Sequence, residues 1–242
     1  MIRDELGGAL ARAAREILPE YELPACLPLN RGRTDSHGDW VCSWCLKAAR
    51  EVGVEASVLA LRIAAAIAQM PQVTRVTSQG GFLNVYLSDD WYLQTLEAYK
   101  SLRLEPFAVP QAPADAHARL MTLWPGARPL IKGDALWYLH HDRSNPLYAI
   151  RYAVQRSRQL AERTAVCEVS LTTSMRQHIR NLDDCAAAAQ AQNASALCAA
   201  LHVCAESFRT VYEEQKPGFR AQVLAAATAN VLVQGLDILG LA

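Results

Sequence analysis

The sequence predicts an α+β N-terminal domain, helices plus an antiparallel sheet, followed by an all-α helical bundle. Three observations predict it. The stretch "VTRVTSQGGFLNVYLS" (73–88) alternates with a period of two on both sides of a Gly-Gly turn, as a β-hairpin does. Helix-period apolar stripes precede it. After Ile131 no strand pattern returns, and the chain becomes alanine-rich and helical in period.

The elements follow in order. Asp4–Leu18 reads as an amphipathic helix with Leu6, Leu10, Ala13, Ala14 and Ile17 on one side. Pro19, Pro24 and Pro28 then enforce extended or turning backbone. A second helix is expected from Gly38-Asp39 to Val52, stopped by Gly53, and a third from Ala56 to Gln69, before Pro71. In the hairpin, Val73, Arg75 and Thr77 alternate against Thr74 and Val76. The chain turns at Gln79-Gly80-Gly81 and returns from Phe82 to Leu87. Residues 104–118 hold three prolines and little periodicity, which reads as a linker. The expected division is 1–98 for the α+β domain, 99–131 for a Pro-rich linker and 132–242 for the bundle.

In the bundle, Asn145 is the expected N-cap and Pro146 the first residue of a helix running to Arg163. At 100° per residue Leu147, Ile150, Val154, Ser157 and Ala161 form an apolar stripe. Tyr148, Tyr152, Arg156, Gln159 and Arg163 fall roughly opposite. Aromatic and arginine side chains on one exposed face suit stacking on unpaired bases and contact with phosphates. The alternative is that the tyrosines pack against a neighbouring helix. Leu197, Leu201, Cys204, Phe208 and Val211 form a core stripe, with Tyr212 at its edge. The last helix, from about Phe219, is apolar on most sides and is expected at the bundle centre.

Composition bounds the function. Of 242 residues, 51% are apolar and 20% charged, an ordinary globular balance. The start "MIRDELGGAL" does not resemble a signal peptide. The longest apolar runs are broken by Arg or Gln, so no membrane span is expected. A cytoplasmic protein is expected, with its seven scattered cysteines reduced. The formal net charge is zero, but Arg143–Arg180 holds seven Arg and two Glu, a local excess of +5. Such a patch is what an RNA-binding face needs, and equally what a solvated helix face shows.

The stretch "HGDWVCSWC" (37–45) contains one C-x-x-C. A structural zinc site needs about four ligands, and no second C-x-x-C exists. A thioredoxin-like motif should follow a strand, and the segment before this one is Pro-rich. Cys42 and Cys45 are therefore expected buried at i and i+3 of the second helix, on one face with Ala49, and no metal or cofactor is expected.

The neighbouring residues carry a resemblance. Gly38-Asp39-Trp40, followed by Gly81-Phe82-Leu83-Asn84 at the hairpin, resembles the N-terminal domain of arginyl-tRNA synthetases over about residues 2–98. That family shows G-D-Y-(A)-T-N and G-P-G-F-I-N there; Ser43 and Gly80 depart from it. In the second half Gly133-Asp134-Ala135-Leu136 resembles the D-A-L-R stretch of the family's anticodon-binding domain, with Trp137 for the Arg. Asn145-Pro146-Leu147-Tyr148 to Arg156 resembles N-P-V-Y…Q-Y-A-H-A-R, with Val154 for the His. "AESFRTVY" and "VLVQGLDILGL" resemble its later helices.

The resemblance implies tRNA contact at Gln79, Phe82 and Asn84 in the hairpin, and supports it at Tyr148, Tyr152, Arg156, Arg163 and Tyr212 in the bundle. It implies tRNA, arginine-specific in the family, as the partner; for a chain that holds or delivers tRNA without catalysis, an enzyme that uses aminoacyl-tRNA is a further expected partner, and neither DNA nor membrane is expected. The family's nucleotide-binding signatures, H-I-G-H and a K-M-S-K-like loop, do not occur, and 99–131 is too short for a doubly wound sheet. Three function classes follow: a non-catalytic tRNA-binding protein, a synthetase-derived protein-interaction module that has lost RNA binding, and a zinc or redox protein using Cys42 and Cys45.

Overall fold

The computed structural model of the chain describes residues 2–32, 37–130, 145–162, 171–214 and 219–242. The "GDALWY" stretch, His140-His141, Arg143, Arg163 and Cys167 lie outside the described residues. The chain divides into two compact units, residues 1–92 and 93–242.

The first unit contains α1 (Ile2–Ile17), β1 (Asn30–Arg31), β2 (Trp40–Cys42), α2 (Trp44–Val52), α3 (Ala56–Ile67), β3 (Val73–Gln79) and β4 (Phe82–Leu87). The strands form one antiparallel sheet in the order β1-β2-β4-β3. Helix α1 buries Leu6, Leu10, Ala13 and Ala14 of its predicted stripe, and Ile2 besides, while Ile17 at its last turn is only half-buried. One sheet face supplies Trp40, Cys42, Leu83, Val85 and Leu87 to a core shared with Leu59, Ile63 and Ile67 of α3. Each such aliphatic side chain contributes about 1.5–3 kcal/mol when fully buried. Gly80 and Gly81 close the hairpin with φ of 57° and 88°. A two-residue turn with positive φ at both positions matches the twist of its strands, and glycine adopts it without a Cβ clash.

The expected second helix begins late. Residues 40–42 are a strand, with Trp40 opposite Val85 and Cys42 opposite Leu83, and α2 starts only at Trp44. Cys42 and Cys45 therefore do not share a helix face. The reason lies in the two residues before the strand. Gly38 has φ +72°, and a Cβ there would sit 2.7 Å from the Val85 carbonyl oxygen. The Asp39 N–H donates to that same oxygen at 2.9 Å. The Asp39 carboxylate, 8% exposed, accepts the Leu87 N–H at 2.8 Å through Oδ2. It accepts the Tyr92 hydroxyl at 2.8 Å through Oδ1.

The hairpin also departs from simple alternation. Val73 lies opposite Leu87, but Arg75 lies opposite Tyr86, so Thr74 is an extra residue, a β-bulge. Val73 faces the core, whereas Arg75 and Thr77 face away from it. The expectation that Val73, Arg75 and Thr77 share a face is corrected by this bulge. The Thr74 hydroxyl donates to the Tyr86 carbonyl at 3.1 Å and fixes it.

Helix α4 (Asp89–Ser101) ends in the second unit, which continues with α5 (Ala116–Leu123), a 3₁₀ turn (Pro125–Leu130), α6 (Pro146–Ala161), α7 (Thr173–Gln190), α8 (Ala194–Glu214) and α9 (Phe219–Leu239). Helices α6–α9 pack as a bundle. Asn145 caps α6 by accepting the Leu147 and Tyr148 N–H groups, and Pro146 takes the first turn. The stripe Leu197, Leu201, Cys204, Phe208 and Val211 is buried.

The stretch 99–131 includes α5, capped by Asp115 through the Ala118 N–H at 2.8 Å, and its coil is fastened to the bundle. Asn230 donates to the Tyr99 and Leu102 carbonyls at 2.8 and 2.9 Å. Gln234 donates to the Leu102 carbonyl and accepts the Leu104 N–H at 2.8 Å. Arg119 donates to the Leu239 carbonyl at 2.6 Å.

Helix α9 corrects the expectation about membrane spans. Gln222–Leu239 is long and apolar enough to cross a bilayer, but 56% of it is buried among its neighbours. His178 of α7 is fully buried, with Nδ1 2.8 Å from the Ser207 hydroxyl of α8 and Nε2 2.7 Å from the Thr228 hydroxyl of α9. Ser207 also reaches the Cys204 carbonyl, and Thr228 the Leu224 carbonyl. A neutral imidazole has one donor and one acceptor nitrogen. One hydroxyl must therefore turn its proton to the ring, which ties three helices through one side chain.

Two outcomes are expected. Replacing Asp39 with Ala strands the Leu87 N–H and the Tyr92 hydroxyl, and costs about 1–3 kcal/mol for each in urea denaturation; the Tyr92→Phe variant, which keeps the Leu87 bond, loses less. His178 gives an acid dependence. Its ordinary pKa of 6.5 falls to about 3 through burial, so between those values the unfolded chain binds the extra proton. Stability from this group is complete above pH 6.5 and declines on acidification, by at most about 1.4 kcal/mol per pH unit. Burial lowers the His202 and His117 pKa values too. The comparison of His178→Gln with wild type across pH 7 to 4 therefore isolates the effect, and the variant should show the shallower decline.

Candidate functional site

Two surfaces gather the residues singled out in the sequence, one in each unit. In the first, strand alternation sends Leu83, Val85 and Leu87 inward and Phe82, Asn84 and Tyr86 outward. Cross-strand register adds Gln79 beside Phe82 and Thr77 beside Asn84, with Val41 on the other side of Asn84. Asn30, His37, Val41, Gln79, Phe82 and Asn84 line one concave face. Phe82 is 42% exposed and Gln79 is exposed. Asn84 is 4% exposed and its amide donates to the Thr77 hydroxyl at 3.3 Å. Of the two residues expected at the contact, Phe82 is thus exposed and Asn84 recessed. On the inner strand β4, flanked on both sides, the amide lies in the floor of the face, while Phe82 stands at the turn.

In the second unit, α6 and α8 form a groove lined by Tyr148, Tyr152, Arg156 and Tyr212, with Phe208 beneath. Spacing of four residues brings Tyr148 and Tyr152 to 6.1 Å between ring centres. The Arg156 guanidinium lies 5.3 Å from the Tyr152 ring and 6.0 Å from the Tyr212 ring. Its Nε donates to the Tyr152 hydroxyl at 3.2 Å and its terminal nitrogen to Gln159 at 2.8 Å. The bond to Tyr152 pushes the already high Arg156 pKa further up, so the cation is permanent. Tyr212 stacks on Phe208 at 6.5 Å. Glu206 and Arg209 pair at 2.7 Å along the groove, a contact the sequence reading missed.

The basic excess between 143 and 180 is not one patch. Arg180 is buried and donates to Gln177. Arg151 donates to the Leu241 and Ala242 carbonyls. Arg143 and Arg163 lie outside the described residues. The sequence counts charges along the chain, whereas helix rotation and burial decide which of them share a surface.

Cys42 and Cys45 are both buried, one at the end of β2 and one in α2. Burial pushes their pKa values up to about 11 and about 12, so both stay as thiols at neutral pH. No group of three His, Cys, Asp or Glu with metal-binding geometry occurs among the described residues.

Residues 2–87 match the family described as the arginyl tRNA synthetase N terminal domain. The arginine–tRNA ligase of Stutzerimonas stutzeri (strain A1501) is 34% identical over 98 residues, which cover 40% of this chain and 17% of that protein. Among solved structures, Thermus thermophilus arginyl-tRNA synthetase aligns over 94% of this chain and 38% of its own, at 14% identity and a TM-score of 0.36. The first unit is thus similar in sequence to the N-terminal domain of arginyl-tRNA synthetases. The matched segment spans about a sixth of the curated ligase.

A thiol reagent should report the burial of the C-x-x-C pair. In the native protein Cys42 and Cys45 should stay unmodified by iodoacetamide while the partly exposed Cys26 reacts, and all three should react in denaturant, as read by peptide mass mapping. Replacing both with Ala should cost about 1–2 kcal/mol of stability and leave RNA binding unchanged.

Proposed function

We propose that this chain is a non-catalytic tRNA-binding protein related to arginyl-tRNA synthetases, holding or delivering tRNA for an enzyme that uses it. The observation that carries the reading is the α6/α8 groove. Three tyrosines and one permanent cation, drawn from two helices, line a single recess. That set supplies stacking surfaces for unpaired bases and a charge for phosphate. The first unit adds an exposed aromatic beside an exposed amide at Phe82 and Gln79, in a segment similar to a synthetase domain. The bundle's resemblance to the anticodon-binding D-A-L-R domain supports the same reading. So does the lack of H-I-G-H and K-M-S-K-like motifs between the two halves. A second reading, a protein-interaction module without RNA binding, draws support from Val54, Val58 and Leu61, apolar side chains 46%, 49% and 60% exposed in the first unit.

The test is a titration of arginine tRNA, a non-cognate tRNA and random RNA of equal length at several salt concentrations. Tyr152→Ala should cost about 1–3 kcal/mol of tRNA affinity with the salt dependence unchanged, because stacking releases no counterions. Arg156→Gln should weaken binding and flatten the slope of log K against log salt by about 0.7–0.9. Phe82→Ala should weaken tRNA binding without lowering the stability of the bundle. Wild-type binding to tRNA no tighter than to random RNA would replace this reading with the interaction module.

A further inference from the structure

The outward face of the sheet continues past the hairpin turn, and what it holds there was not legible in the sequence. The Thr74 bulge shifts the phase of β3, so Arg75 leaves the core side and lies opposite Tyr86 on the same face as Phe82. Its guanidinium carbon sits 3.9 Å from the centre of the Tyr86 ring, which is face-to-face stacking distance. Arg75 is exposed and makes no ion pair among the described residues. The three cross-strand pairs of this face, Gln79–Phe82, Thr77–Asn84 and Arg75–Tyr86, contain no carboxylate. The middle pair is recessed, with Asn84 4% exposed. The face therefore has two raised posts, Phe82 and the Arg75–Tyr86 stack, with a polar floor between them. Phe82 and Tyr86 lie four residue steps apart along β4, or about 13 Å. A stacked strand rising about 3.4 Å per nucleotide covers that distance in about four steps, and an extended strand in fewer.

We infer that this sheet face binds a run of unpaired RNA nucleotides across both posts, one base stacking on Phe82 and another on the outer face of the Arg75 guanidinium carried by Tyr86. The inference rests on the tRNA-binding reading and assigns Arg75 and Tyr86 to it. An arginine plane is a stacking surface for unpaired bases, and its charge matches the strand's phosphates. The bulge is the structural reason that such a plane occurs here, since regular pairing through residue 74 would turn Arg75 toward the core.

The experiment uses the full chain, with unlabelled uridine dinucleotide and hexanucleotide competing against a fluorescein-labelled hexanucleotide at low salt, and with arginine tRNA in parallel. The hexanucleotide spans both posts, and the dinucleotide reaches only one. Arg75→Ala should weaken hexanucleotide binding roughly five- to hundredfold. It should weaken the dinucleotide only about twofold, since either post serves a ligand that short. Arg75→Lys, which keeps the charge and loses the plane, should not restore the hexanucleotide. Equal losses for both lengths, no loss at all, or full rescue by Lys would overturn the inference. If Phe82→Ala weakens tRNA binding while Arg75→Ala does not, the second post alone is wrong. If wild-type protein binds neither the oligonucleotides nor tRNA, the tRNA-binding reading falls and this inference with it.

Discussion

The first unit depends on one buried carboxylate. Asp39 enters the sheet from a glycine that presses against β4, and its two oxygens then take the last N–H of β4 and the Tyr92 hydroxyl of α4. Carboxylates are seldom buried this deeply, because leaving water costs several kcal/mol unless hydrogen bonds replace it. Here the bonds come from a strand end and a helix start, so the carboxylate fixes where β4 stops and where α4 begins. The same contact sets β2 against β4, and β2 forms part of the concave face where Phe82 and Gln79 stand. The site thus inherits its shape from a residue that takes no part in lining it.

The bundle uses a different device for the same purpose. The α6/α8 groove stays open because its floor is closed by Phe208, and Phe208 lies against the His178 ring at 5.6 Å. His178 in turn bonds to α8 and α9. The tyrosines above this floor are only partly exposed, and Arg156 is held among them by two hydrogen bonds. Little side-chain freedom remains to be lost when a ligand arrives, which favours affinity per contact.

Where local chemistry decided the structure, the sequence was readable. The Gly-Gly turn, the Asn-Pro opening of α6 and the core stripe of α8 each rest on residues within one or two turns of one another. Where pairing at a distance decided it, the sequence misled. Trp40, Trp44 and Ala48 recur at helical spacing, so a three-residue strand was hidden inside a helical pattern. Nothing in the identity of Thr74 announces a bulge, since Val73, Arg75 and Thr77 alternate perfectly in the letters. Asn84 looked like a surface amide because its cover comes from the strands on either side. Asp115 ahead of a short apolar run was a legible start for α5, obscured by the prolines before it.

The position of α9 has a consequence for how the protein is made. Its side chains lie between α6, α7 and α8 and also hold the coil after α4 through Asn230 and Gln234. A ribosome delivers all of these partners before it delivers α9. Until then the apolar faces of three helices stay uncovered in the nascent chain, and the coil has no anchor. The first unit needs nothing from beyond residue 92 for its sheet and can close early in synthesis. A stop codon ahead of α9 would therefore produce a finished first unit trailing a chaperone substrate, and quality control would meet the second unit as a late, all-at-once event.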